Sequence, residues 1–151
     1  MKQPQGLRTL GMQAQFTRQQ FKTDIKRGAV LENAVRAKFE AKGFHVTHVD
    51  KKFKYWDFAI SKGDICSKVE VKADYRSDET GNYCLEKKSL DNTIASLMVI
   101  GTPQEAYLIP IDEVRKLFNE ATDIRDVGDI RGNYSAIIPK YKLIERAQKF
   151  I

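Results

Sequence analysis

The chain is poor in the residues that staple or segment a protein. Two cysteines occur in 151 residues, Cys66 and Cys84, and no CxxC pair exists, so neither a zinc knuckle nor a redox pair is suggested. Both are expected to be buried or half-buried thiols. The two histidines, His45 and His48, stand in an HxxH spacing. On a strand they would face opposite ways, which suits surface or structural roles better than a shared metal. No apolar run approaches the roughly 20 residues of a membrane span. The first twenty residues lack the apolar core of a signal peptide. A soluble, cytoplasmic protein with no membrane partner is therefore expected. There is no internal repeat, acidic tail or Pro/Ser linker to suggest a second domain. Residues 1–20 read as a basic flexible arm and 21–151 as one domain, long enough to bury a core.

What is present begins with charge. The net charge is +6, but residues 1–54 carry 12 Lys and Arg against 4 Asp and Glu, while the remainder carries 14 against 16. A basic third beside a slightly acidic remainder suits a polyanion binder with an acidic centre.

Patterning predicts a helix over 29–43, with Val30, Leu31, Ala34, Val35, Ala37 and Phe39 as its apolar stripe and Gly43 as its stop. Three meander strands follow, at 44–49, 55–61 and 66–74, the last two joined by a turn at Lys62-Gly63-Asp64. "NYCLE" (82–86) reads as a strand continuing the same sheet, and 89–96 as a short helix. "LMVIG" and "AYLIP" read as two core strands, "IDEVRKLF" as an amphipathic helix. "IRGNYSAIIP" reads as a turn and strand before a last helical stretch around 140–149.

The chemistry concentrates in "YWDFAI" and "KVEVKAD". Alternate side chains of a strand share a face, so Glu70 and Lys72 project together while Val69 and Val71 turn inward. The turn at 62–65 folds the preceding strand back and brings Asp57 within reach of Glu70. Trp56 and Phe58 are expected on the face opposite Asp57, anchoring its strand. Two neighbouring carboxylates either raise one another's pKa or recruit a cation. Hard oxygen ligands suit Mg²⁺, with Mn²⁺ as a substitute, leaving ligand positions for water and phosphate. Lys72 beside them could neutralise charge, position or deprotonate a water, or stabilise the pentavalent phosphorus. The plain alternative is a solvated salt bridge on a strand.

Asp57, then Glu70-Val71-Lys72 thirteen residues on, after a helix bearing Glu32, resembles the PD-(D/E)xK nuclease superfamily over roughly residues 24–110. "Thr80-Gly81-Asn82" and "GTPQEAYLIPIDEVRKLF" resemble its small phage and prokaryotic members, with Trp56 replacing the usual proline. The resemblance implies an α/β fold, a restriction-endonuclease-like mixed β-sheet flanked by helices with an αβββαβ core. It implies that Asp57, Glu70 and the carbonyl of Val71 bind the metal, that Lys72 activates the water, and that Glu32 tunes the site. The expected partner is DNA, cut to leave 5′-phosphate ends without sequence selection or by its structure. Lys51, Lys52, Lys54, Arg76, Thr80 and Asn82 are the expected nucleic-acid contacts. Small members include Holliday-junction resolvases, which act as symmetric dimers, so a homodimer is open to this chain. A catalytically inactive binding module with the same fold is the alternative.

Overall fold

In the computed structural model the described residues are 27–48, 56–126 and 132–151. The fold is mixed α/β, with a six-stranded mixed sheet flanked by helices and a second sheet of three strands. The expected arm at 1–20 and Lys51, Lys52 and Lys54 lie outside the described residues. No helix among the described residues is long and apolar enough to cross a membrane.

Helix α1 (27–41) forms because Leu31, Val35 and Phe39 recur every four residues and bury one stripe completely or nearly so. Its end is a Schellman motif. Gly43, at φ 92°, donates to the Glu40 carbonyl and Phe44 donates to the Phe39 carbonyl, at 2.9 and 3.0 Å. The accompanying apolar contact is the edge-on packing of Phe44 against Phe39.

Strands β1 (His45–His48), β2 (Phe58–Lys62) and β3 (Ile65–Ala73) form an antiparallel meander. β5 (Leu97–Thr102) then pairs with β3 in parallel, and β6 (Glu105–Pro110) pairs antiparallel with β5. The sheet order is β1-β2-β3-β5-β6-β9. Parallel strands need a crossover, supplied here by α2 (Ser77–Thr80), β4 (Asn82–Glu86) and α3 (Lys87–Asn92). Helix α4 (Ile111–Glu120) follows β6, burying Ile111, Val114 and Leu117.

Four expectations need correction. β4 does not continue the main sheet: it pairs with β8 (Tyr134–Pro139), which pairs with β7 (Ile124–Asp126). Its alternation sends Tyr83 and Leu85 into the core beside Met98 and Ile100, so β4 covers the main sheet instead of extending it. The last helix, α5 (Lys140–Ile144), is also shorter than expected, and Gln148–Lys149 form β9 on the edge of β6. Cys66 is exposed, not buried, because it lies at the start of β3, where Ile65 and Lys68 are exposed as well. The fourth concerns Trp56. Phe58 packs under α1, whereas Trp56 joins the core on the other side of the sheet, because the chain bends at Asp57.

The main sheet thus has a core on each side. Val69, Val71, Val99, Phe58 and Ile60 pack with α1, and Met98, Ile100 and Ile109 pack under the small sheet, α3 and α4. The face of β3 carrying Glu70 and Lys72 lies beside the second core.

Candidate active site

Two residues of turn separate β2 from β3, and so short a link fixes their register. Phe58 pairs with Val69, Ala59 with Lys68 and Ile60 with Ser67. The paired register ends at Phe58 and Val69, and Asp57 follows at a bend, close enough to Glu70 for the two charges to repel. The Asp57 N–H donates to the Val69 carbonyl at 2.9 Å. In return the Val71 N–H donates to Asp57 Oδ2 at 2.6 Å. Asp57 therefore closes the end of the hairpin with its own side chain, held in one orientation.

Glu70 is opposite in kind. Its Oε2 is buried and has no hydrogen-bond partner among the described residues. Its parallel-strand neighbour is Met98, buried in the core. Burial first, then the nearby Asp57 carboxylate, pushes the Glu70 pKa from an ordinary 4.5 to about 8, with Lys72 pulling the other way. Asp57 is pushed from 3.8 to about 6, chiefly by burial. The Val71 N–H pulls it back, and Glu32 raises it both as a charge and as a hydrogen-bond partner. Asp57 and Glu70, with Glu32 close by, thus both lie where their negative charge is disfavoured.

Glu32 reaches this point because it follows the buried Leu31 on α1. One turn on, Arg36 pairs with Glu32 at 3.5 Å and also bonds the Asn33 and His48 side chains. That guanidinium is also close enough to Asp57 to lower its pKa. Arg36 was not among the expected site residues. Its position four residues after Glu32 on a helix is the signal that marks it.

The acids fit a hard divalent ion. Carboxylates are the right donors, the unpartnered Glu70 oxygen has lone pairs to offer, and a cation would relieve the mutual repulsion. Asp57 and Glu70 carry the side-chain oxygens that could hold it. Among the described residues no three His, Cys, Asp or Glu side chains form a ready-made cage.

Beyond Lys72 opens a cleft of about 520 Å³. Lys72 and Arg76 both line it, on one side from β3 and on another from the chain before α2. Thr80 and Asn82 are engaged elsewhere. The Thr80 hydroxyl donates to the Arg76 carbonyl at 3.1 Å and accepts from the Asn82 N–H at 3.1 Å, closing the turn around Gly81. Asn82 lines a separate depression with Ile137, Pro139 and Lys142.

No protein-family model matches the chain, and no curated protein matches it. Among solved structures it is similar to a bacterial homing endonuclease, I-Ssp6803I, at 21% identity and a TM-score of 0.50. The match covers 58% of this chain and 64% of that one, so the chain spans a little under two thirds of that protein's length. The likeness is one of fold.

Proposed function

We propose that the chain is a metal-dependent DNA endonuclease of the PD-(D/E)xK type, hydrolysing phosphodiester bonds to leave 5′-phosphate ends. The observation that carries this reading is the neighbouring Asp57 and Glu70 carboxylates at the open end of the hairpin, with one buried Glu70 oxygen left without a partner. The fold shared with a homing endonuclease supports the same chemistry.

Asp57, oriented by the Val71 N–H, and Glu70 hold Mg²⁺ or Mn²⁺ together with the Val71 carbonyl. The ion, when bound, supplies positive charge at the scissile phosphate and lowers the pKa of a coordinated water. Lys72 lies two residues beyond Glu70 on the same face, where its ammonium orients the attacking water and meets charge developing on phosphorus. Glu32 adjusts the charge around Asp57 and is itself held by Arg36. Arg76 and the lysines 51, 52 and 54 contact backbone phosphates, which carry no sequence information. The substrate is selected by shape or not at all. A homodimer would present two such sites to opposed strands.

The test is cleavage of labelled duplex, single-stranded, flap and four-way-junction DNA with Mg²⁺, Mn²⁺ or EDTA. Wild type is expected to cut only with metal, and Lys72→Ala and Asp57→Ala to lose about 10²–10⁴-fold in rate. Salt-sensitive binding without cutting by any of the three proteins would leave a DNA-binding module of the same fold.

A further inference from the structure

We propose that the cleft beyond Lys72 is a phosphate subsite for the strand running away from the cut, with Arg76 and Arg27 as its contacts and Tyr75 as the residue that positions Arg27. The inference rests on the nuclease reading and adds a path for the substrate.

The cleft, about 520 Å³, is open to solvent and continuous with the face of Lys72. That volume admits the sugar-phosphate of one strand rather than a duplex. Among the described residues three cations line it, Arg27 from α1, Lys72 from β3 and Arg76 from the segment after β3. None of the three makes an ion pair with any described residue, although carboxylates line the same cleft. Asp74, the nearest of these acids in sequence, has its Oδ2 taken by the Cys84 N–H at 2.9 Å. Glu79 and Glu86 also line the cleft. Mixed lining of this kind gives a strand a register: phosphate is attracted at the guanidinium groups and repelled at the carboxylates.

Arg27 is held at this place by two contacts with Tyr75. Its guanidinium carbon stands 5.0 Å from the centre of the Tyr75 ring, and the Tyr75 hydroxyl donates to the Arg27 carbonyl at 3.2 Å. Tyr75 lies between Asp74 and Arg76 in sequence but reaches across to α1, so one side chain joins two walls of the cleft. A guanidinium resting on a ring keeps its N–H edge free for phosphate oxygens.

The experiment is DNA binding without cutting. Labelled duplex and single-stranded oligonucleotides are titrated with protein in Ca²⁺ while NaCl is raised. Wild type, Arg76→Ala, Arg27→Ala, Tyr75→Ala, Tyr75→Phe and the exposed edge control Lys149→Ala are compared. Each lost phosphate contact is expected to flatten the log–log salt slope by about 0.9 on duplex and about 0.7 on single strand. At moderate salt it should weaken binding roughly 5–10-fold. Arg76→Ala and Arg27→Ala should each show this, and Lys149→Ala should not. Tyr75→Ala should behave as Arg27→Ala does, and Tyr75→Phe, which keeps the ring, should restore most of the slope. A wild-type slope in both arginine variants overturns the inference while the nuclease reading stands. Absence of salt-dependent DNA binding by wild type overturns both.

Discussion

At Glu70 a carboxylate oxygen is buried without a partner, and its neighbour Asp57 is also an acid. The folded chain therefore retains protons on both at pH values where the unfolded chain has released them. Stability from these groups is complete below the unfolded values of 3.8 and 4.5 and is lost as pH rises through about 6 and then about 8. The urea midpoint of the metal-free protein should accordingly decline between about pH 5 and pH 9. Glu70→Gln, neutral at every pH, should lose the upper part of that decline. A decline as steep as wild type in this variant would contradict the assigned burial. The nearness of Asp57 to Glu70 was legible in the sequence because a short turn folds β2 back along β3. Residues brought in by tertiary packing were less so. Arg27 and Tyr75 lie 48 positions apart, and nothing in either local pattern announces their contact.

At the scale of elements, what could be read was what periodicity encodes. α1, β2, β3, β5, β6 and α4 stand close to where alternation and the four-residue repeat put them. Alternation reports which face of a strand is buried and not which strand lies beside it, and so β4 was assigned to the wrong sheet. β7 has three exposed residues and no pattern to find. Gly101 was equally silent in sequence, yet it stands at φ 144° opposite Ala106. A Cβ there would lie 2.2 Å from the Glu105 carbonyl oxygen and 2.8 Å from the Ala106 Cα. The Gly101 carbonyl also accepts the Asp74 N–H at 2.9 Å, tying the root of the cleft to β5. Gly101→Ala should cost about 2–4 kcal/mol in denaturant unfolding, from strain and overpacking together; a loss under about 1 kcal/mol would show that the strands separate easily. Phe39 joins α1 to the sheet through ring contacts with Phe44, Phe58 and Phe150. Phe39→Ala should cost about 3–5 kcal/mol by the same measurement, and a negligible loss would mean that α1 is held by other contacts.

Over the whole molecule, the hairpin of β2 and β3 presents acids between two hydrophobic cores, with α1 bringing Glu32 and Arg36 from one side. One core packs the strands against α1, and the other contains Met98, the strand neighbour of Glu70. On the proposed function this desolvated pair is a metal site. Titration calorimetry of Mn²⁺ into the protein near neutral pH, in buffers of different ionisation enthalpy, tests it without relying on cleavage. Wild type should take up the ion with release of protons, since Glu70 is protonated below about pH 8. Glu70→Gln should lose both the uptake and the release. Binding of equal strength and proton count in wild type and Glu70→Gln, or no uptake by wild type, would show that the pair is not a metal site.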